Sequence, residues 1–177
     1  MPTTPKTHQP DGFVNALGLM SGTSLDGVDA ALIRTDGTDI AAHGPSLTLP
    51  YTASLRQRLR TLLDRAPDLG ADDADLKAVE HALTVVHVQA VQRLRHMAPD
   101  MPVDLVGFHG QTILHRPGRT WQIGDAAYLS AQTNLPVIHD FRSADVAAGG
   151  EGAPLVPLYH AALLRNAPAP VAVLNIG

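Results

Sequence analysis

The sequence contains no cysteine, which excludes disulfide bonds and any metal site built from thiolate ligands. It contains no apolar run close to the ~20 residues that a membrane-spanning helix needs, so we expect no membrane partner. Charged residues make up only 17% of the chain and the formal net charge is −4, which argues against a nucleic-acid partner that depends on neutralising many phosphates. Hydrophobic residues make up 45% of the 177 residues, which is enough for one globular domain with a substantial core.

Lysine is also scarce, since it occurs only at Lys6 and Lys77, and the motif G-x-x-x-x-G-K-[ST] is missing. A Walker-type phosphate loop is therefore excluded. Any nucleotide phosphate must be held by backbone amides, hydroxyl groups, a metal ion and arginine. The stretch that suits this chemistry best is residues 15–34, in which two apolar runs flank a loop of small and hydroxylated residues at 21–27.

The apolar runs on either side of the 21–27 loop predict two strands joined as a hairpin. Gly22 and Gly27 can adopt positive φ and allow another group to approach the backbone. The loop would expose amides and three hydroxyl groups to phosphate oxygens, those of Ser21, Thr23 and Ser24. Asp26 or Asp29 adds a carboxylate that can face hydrated Mg²⁺. An ordinary hairpin, in which the hydroxyls only satisfy turn amides, explains the same residues.

The rest of the chain predicts one more strand, two helices, and then strands alternating with helices. Strands are expected at 40–51 (interrupted near Gly44-Pro45), 103–108, 121–123, 136–138 and 171–176, and helices at 52–66, 72–97, 126–132 and 154–164. Residues 141–152 are rich in glycine and alanine and are expected to form a loop. Residues 1–11 are polar and contain prolines without the apolar core of a secretion signal, so we expect a disordered tail on a cytoplasmic protein.

Polar residues at predicted strand ends are candidates for ligand binding. His109, Gln111 and Thr112 follow the strand at 103–108, where open α/β sheets place ligand groups, and their neutral donors and acceptors suit sugar hydroxyls and amides. Arg142 is a further candidate for ligand binding. It lies between two aspartates, so a purely structural ion pair explains it equally well.

The histidines match no recognised spacing of metal ligands. For His109, His115 and His139 we favour hydrogen bonding at strand ends over metal binding. The helix at 72–97 carries three further histidines that we expect at surface or edge positions, namely His81, His87 and His96.

Five segments together resemble the anhydro-N-acetylmuramic acid kinases, a family in the superfamily of actin, hexokinase and the heat-shock chaperone ATPases. They are GLMSGTSLDGVDAAL (18–32), GFHGQTILHRP (107–117), WQIGDAAYLSAQTNLPV (121–137), HDFRSADVAAGGEGAPLVPLYHAAL (139–163) and VLNIG (173–177). The resemblance implies an α/β fold, the ribonuclease H-like lobe of the actin-like ATPases, with a three-strand meander followed by alternating helices and strands. Residues 12–170 would form this lobe, and 171–177 would be the first strand of a second lobe that is otherwise absent.

The resemblance also implies a transferase that uses ATP and Mg²⁺. Such a kinase opens the 1,6-anhydro ring of anhydro-N-acetylmuramic acid and phosphorylates O6, giving N-acetylmuramic acid 6-phosphate in the recycling of cell-wall peptidoglycan. The implied ATP site comprises Gly22, Thr23, Ser24, Leu25, Asp26, Gly27, Val28 and Asp29, with Asp26 facing the metal. The implied sugar site comprises His109, Gln111, Thr112, Arg142 and Asp145, and Arg142 would suit the lactyl carboxylate.

The family's general-base aspartate is expected beyond Gly177, so no residue of this sequence is assigned as catalytic. We therefore expect the chain by itself to be inactive. We also expect it to self-associate, for example as a homodimer, through an unpaired strand at 171–176. Two other interpretations remain open at this point. One is another sugar kinase of the same superfamily, and the other is a non-catalytic ligand-binding module.

Overall fold

The computed structural model describes residues 11–174, which fold around one mixed sheet. The strands in this part of the chain are β1 (Val14–Ser21), β2 (Gly27–Thr35), β3 (Ile40–Pro50), β4 (Leu105–Arg116), β5 (Arg119–Ile123) and β6 (Val137–His139). The α-helices are α1 (Ala53–Arg65), α2 (Ala74–Met97), α3 (Ala126–Thr133), α4 (Ser143–Ala147) and α5 (Pro157–Leu164), and a 3₁₀ turn spans Ala66–Asp68. No helix in residues 11–174 is both long and apolar enough to span a bilayer.

The sheet has the strand order β3-β2-β1-β4-β5, and β6 also pairs with β4. The first three strands form an antiparallel meander, whereas β1, β4 and β6 run parallel. Parallel strands need a long crossover, which α1 and α2 provide between β3 and β4. The predicted α/β fold, with a three-strand meander followed by alternating helices and strands, is confirmed. The predicted interruption near Gly44-Pro45 is a break in register opposite Leu32.

One face of the sheet packs against α1 and α2 and forms the core. The alternation along β1 shows this clearly, since Leu17 and Leu19 are buried while Gly18 and Met20 are exposed. Each fully buried leucine contributes about 1.5–3 kcal/mol relative to an exposed one. The start of each packing helix is fixed by its cap: Thr52 accepts a bond from an amide of α1, and Asp73 accepts two from α2.

The strand predicted at 103–108 is longer than expected. β4 runs to Arg116 because it changes partners: it pairs with β1 up to Gln111 and then forms a hairpin with β5. His109 and Gln111 therefore lie inside a strand, and the prediction that they follow its end is wrong. They do lie where the parallel pairing stops, so they still mark the edge of the parallel part of the sheet.

Three further predictions need correction. Residues 141–152 are not all loop, since α4 begins at Ser143, held by the bond from the Val146 amide to the Arg142 carbonyl (3.0 Å). His87 is fully buried, because α2 turns this position toward Phe108 on the sheet. Residues 171–174 form no strand, since no strand in residues 11–174 pairs with them.

Two predicted segments fall partly outside the described residues. Residues 1–10 of the predicted tail and residues 175–177 of the predicted last strand lie there. The eleventh residue is placed, and its carboxylate is part of the fold: Asp11 accepts a bond from the Phe13 amide and pairs with Arg34 at 2.6 Å.

Candidate functional site

The loop between β1 and β2, residues 22–26, lies at the carboxyl end of β1 and is tightly anchored at its second half. The Leu25 amide bonds to the Gly22 carbonyl at 3.1 Å, and the Asp26 carbonyl accepts from the Tyr51 amide at 3.1 Å. Leu25 has a φ of 58° and a side chain buried in the core. At Gly27 a side chain would overlap the Leu49 carbonyl, so the predicted close approach is made by the backbone of β3.

The first half of this loop presents unpaired amides. The amides of Thr23, Ser24 and Asp26 donate to no acceptor within residues 11–174, and all three residues are exposed. Of these, the amides of Thr23 and Ser24 are consecutive, and successive free amides in a turn can form a concave site for an anion. Of the residues predicted to bind ATP, Leu25 and Val28 have buried side chains and can contribute only backbone groups.

Ser21 does not expose its hydroxyl, which corrects the prediction that this group faces phosphate. Its Oγ lies 2.7 Å from the Tyr51 hydroxyl and 2.5 Å from Gln111 Oε1, and all three side chains are buried. Because an amide oxygen only accepts, Ser21 donates to Gln111 and Tyr51 donates to Ser21. Burial, opposed by the bond to Ser21, raises the pKa of Tyr51 to about 12, so Tyr51 keeps its proton.

Gln111 and Thr112 therefore have structural partners. The Gln111 amide group donates to the Thr112 carbonyl at 3.1 Å, and its oxygen accepts from Ser21 of β1. Gln111 was predicted to bind sugar, but it is fully buried and links β4 to β1. Thr112 Oγ1 accepts a bond from Gln122 Nε2 at 3.2 Å, across the β4–β5 hairpin.

The two candidate carboxylates of the ATP site differ in their partners. Asp26 is exposed and pairs with Arg56 of α1 at 3.1 Å, and the Nε of Arg56 donates to the Leu25 carbonyl at 2.8 Å. Asp29 lies on the outer face of β2 and accepts from Thr48 Oγ1 at 2.6 Å. Residues 11–174 contain no cluster of three or more metal-binding side chains. An exposed single carboxylate such as Asp26 fits Mg²⁺, which keeps several waters and takes its remaining ligands from phosphates.

Arg142 is the centre of a second polar cluster. Its Nε and Nη2 lie 3.0 and 2.8 Å from His109 Nε2, and its Nη1 donates to the Gly152 carbonyl. His109 Nδ1 lies 2.9 Å from the Gly110 carbonyl, so Nδ1 carries the proton and Nε2 accepts. Burial lowers the pKa of His109, and the Arg142 charge lowers it further against the opposing bond to Gly110. The imidazole is therefore neutral near pH 7.

Asp145 does not pair with Arg142. Its carboxylate accepts the Gly152 amide at 2.7 Å, and none of the ion pairs within residues 11–174 involves Arg142. The interpretation of Arg142 as part of a structural ion pair is therefore wrong. Both side chains instead bond to the backbone of Gly152: Arg142 donates to its carbonyl, and Asp145 accepts from its amide. These two bonds fix the loop after α4.

A cleft of about 250 Å³ opens beside His109. Residues not predicted as site residues line it, among them Trp121, Gln122, His139 and Asp140. Arg119 lies over the Trp121 ring with its guanidinium carbon 5.6 Å from the centroid. A ring beside neutral donors and acceptors suits a sugar. Trp121 is the only tryptophan in the sequence, and this could have indicated that its segment belongs to the site.

The β1–β2 loop and the Arg142 cluster lie at the same edge of the sheet. Ser21 pairs with Gln111 between the parallel strands β1 and β4, and Phe108 pairs with His139 between β4 and β6. The carboxyl ends of parallel strands meet at one edge, so the β1–β2 loop and the cleft beside His109 lie at the same edge of the sheet.

Comparison with known proteins shows which family the chain belongs to. The family model described as anhydro-N-acetylmuramic acid kinase matches residues 14–177. The chain belongs to this family. Relatives that carry the name anhydro-N-acetylmuramic acid kinase include those of Gluconobacter oxydans (63% identical, over 93% of this chain and 46% of the relative) and Acidiphilium cryptum (58%, over 93% and 45%). One from Rhodopseudomonas palustris is 51% identical over 93% of this chain and 47% of its own length. The chain spans about half the length of the curated relatives it matches.

Membership of the anhydro-N-acetylmuramic acid kinase family confirms the resemblance found in the sequence motifs. The structure brings together Thr23, Ser24 and Asp26 on the loop, and it places Arg142 against His109, which lines the cleft. It separates Gln111 from the cleft surface by burying it.

Proposed function

We propose that this chain supplies part of an ATP-dependent kinase that acts on anhydro-N-acetylmuramic acid. Opening of the 1,6-anhydro ring and phosphorylation of O6 would give N-acetylmuramic acid 6-phosphate, in cytoplasmic recycling of peptidoglycan. The observation that carries this proposal is the placement of three free amides, at Thr23, Ser24 and Asp26, at the same sheet edge as the cleft that contains His109. Together with the family membership, this favours phosphoryl transfer between a nucleotide and a sugar.

The β1–β2 loop would bind the phosphates of ATP. Its free amides supply donors without a lysine, and the hydroxyls of Thr23 and Ser24 add further donors. Asp26 would hold Mg²⁺, which, when bound, neutralises charge on the phosphates. Asp29, the alternative carboxylate, is already hydrogen-bonded to Thr48 and lies on the outer face of the sheet.

The Arg142 cluster would bind the sugar. The guanidinium is held by His109 and by the Gly152 carbonyl, and a neutral His109 leaves the positive charge of Arg142 uncompensated. An uncompensated guanidinium favours an anionic group, and the lactyl carboxylate of the amino sugar is such a group. Asp145 would act indirectly, because it holds the Gly152 loop against which Arg142 packs.

We further propose that residues 1–177 alone do not catalyse the transfer. Phosphoryl transfer depends on positioning from both sides of the substrate, and the relatives are about twice as long as this chain. The general base is expected outside these residues.

The test compares the 177-residue chain with a fusion that continues it with the C-terminal half of the Gluconobacter oxydans relative. The fusion should form the sugar 6-phosphate from Mg·ATP, whereas the chain alone should not. An acceptor screen with the fusion separates this function from that of another sugar kinase. Sustained product formation by the chain alone would contradict the second proposal, and no transfer by the fusion would contradict the first.

A further inference from the structure

Arg56 is a side chain that holds the β1–β2 loop from outside. It lies in the first turns of α1, and its guanidinium makes two contacts: Nε donates to the Leu25 carbonyl at 2.8 Å, and Nη2 lies 3.1 Å from Asp26 Oδ1. Among residues 11–174, no other side chain outside the loop bonds to these two residues. Arg56 was not among the residues predicted for the site.

The contact with the Leu25 carbonyl fixes the direction of the next amide. A peptide group is planar and trans, so the N–H of Asp26 points away from the carbonyl that Arg56 holds. This amide is one of the three that donate to no acceptor within the described residues. Leu25 has a φ of 58°, a conformation that a leucine keeps only when its surroundings hold it.

We propose that Arg56 is a positioning residue for nucleotide binding. It turns the Asp26 amide toward the phosphate side of the loop, and its Nη2 holds the Asp26 carboxylate. This inference rests on the proposed function, since it assumes that the loop binds phosphates. It assigns to Arg56 an effect on the nucleotide and none on the sugar, because the Arg142 cluster is built from β4 and the residues around α4, and Arg56 contacts none of them.

The chain offers a matched control on the same helix. Arg58 is as exposed as Arg56, with 41% against 44% of the side chain accessible, and it also pairs with one aspartate, Asp75, at 3.2 Å. It does not contact the loop. Arg56→Gln and Arg58→Gln therefore each remove one exposed ion pair, and only the first releases the Leu25 carbonyl.

The first test is hydrogen exchange on the 177-residue chain. The amides of Leu25 and Tyr51 form the bonds that close the loop, to Gly22 and to Asp26. Both amides should exchange roughly fivefold or more faster in Arg56→Gln, because loss of one hydrogen bond lowers the free energy needed to open the loop. Neither exchange rate should change in Arg58→Gln, because Arg58 does not contact the loop. Equal exchange in the two variants would overturn the proposal.

The second test uses the fusion with the C-terminal half of the Gluconobacter oxydans relative. Arg56→Gln should raise the KM for Mg·ATP roughly tenfold and leave the KM for the sugar within about twofold, and Arg56→Lys should fall between, because one ammonium cannot make both contacts. A rise in both KM values, or in neither, would overturn the proposal. If the unaltered fusion transfers no phosphate, the proposed function fails, and hydrogen exchange alone decides whether Arg56 holds the loop.

Discussion

The hydroxyl of Ser21 donates to the side-chain oxygen of Gln111 at 2.5 Å, at the point where β1 and β4 pair as parallel strands. Ser21 precedes the loop with the free amides, and Gln111 lies two residues after His109. The bond therefore joins the proposed nucleotide side of the candidate site to its proposed sugar side. Tyr51 completes this buried chain by donating to Ser21 at 2.7 Å.

Ser21→Ala should destabilise the fold. The change leaves Gln111 Oε1 and the Tyr51 hydroxyl buried without their shared partner, and a buried unsatisfied polar group costs about 1–3 kcal/mol. The free energy of unfolding of the 177-residue chain, measured with urea, should fall by that amount. Ser24→Ala removes an exposed hydroxyl from the same part of the chain and should change stability by less than about 0.5 kcal/mol. Equal stability of the two variants would contradict a role for this bond.

The sequence was sufficient to predict the meander and the packing helices, because their signals are local. Strand β1 is an apolar run that precedes a loop of small residues, and α2 carries a stripe of apolar residues at helical spacing. The position of the loop between β1 and β2 follows from the same signals, since two apolar runs flank it.

The partners of polar side chains could not be predicted, because they come from distant parts of the chain. Ser21 was predicted as a loop hydroxyl, but the fold places Tyr51, directly after β3, and Gln111 of β4 beside it. Arg142 looked like a partner for neighbouring aspartates, and it instead reaches His109, 33 residues away. A long-range contact between polar groups has no sequence period to reveal it.

Asp26→Asn should sharply reduce the turnover of the fusion without unfolding it. The change removes a negative charge near the proposed Mg²⁺ and keeps the shape, and loss of one such group typically costs a few kcal/mol in the transition state, or on the order of 10²-fold in kcat. The ion pair with Arg56 is exposed, so stability should fall by less than about 1 kcal/mol. Steady-state kinetics and thermal melting separate the two effects. Normal turnover at saturating Mg·ATP would exclude Asp26 and leave Asp29 as the candidate.

Arg142→Lys should raise the KM for the sugar roughly tenfold or more in the fusion and leave the KM for Mg·ATP nearly unchanged. A lysine cannot contact both His109 and the Gly152 carbonyl, and it cannot bind a carboxylate through two parallel bonds. Arg116→Lys, at the exposed end of β4, is the control and should change neither value. An unchanged KM for the sugar in Arg142→Lys would rule out the proposed carboxylate contact.

The 177-residue chain should self-associate at high concentration, and we propose a homodimer as the first species. Residues 171–174, the described part of the unpaired strand expected at 171–176, form no strand, but apolar side chains remain exposed in residues 155–174. They are Leu155, Val156, Leu158, Tyr159, Leu163, Val171, Val173 and Leu174. An exposed apolar surface of this kind favours association. Sedimentation should show a concentration-dependent rise in mass that Leu158→Glu reduces, and a monomer at all concentrations would contradict this expectation.

His87 should make the stability of the chain depend on pH. It is fully buried on α2 with Nδ1 2.8 Å from the Leu83 carbonyl, and its Nε2 has no partner within the described residues. Burial, opposed by the bond to Leu83, lowers the pKa of His87 from 6.5 to about 4. Between these values the unfolded state binds more protons than the folded state, so the free energy of unfolding rises with pH. The contribution of neutral His87 to the free energy of unfolding is fully present above pH 6.5 and is lost as the pH falls toward 4.

His87→Leu should flatten this dependence, because the variant has no group at this position to titrate. The difference between a pKa of 6.5 and one of about 4 corresponds to roughly 3 kcal/mol between the ends of the window. A smaller slope of the same sign should remain, since burial also lowers the pKa of His109. His96→Gln is the control: His96 lies on the same helix with Nδ1 2.6 Å from the Gln92 carbonyl, but it is exposed. The free energy of unfolding should be measured with urea at several pH values from 4 to 7. Its slope against pH should decrease in His87→Leu and stay unchanged in His96→Gln. Identical slopes in the two variants would show that His87 is not the group that titrates.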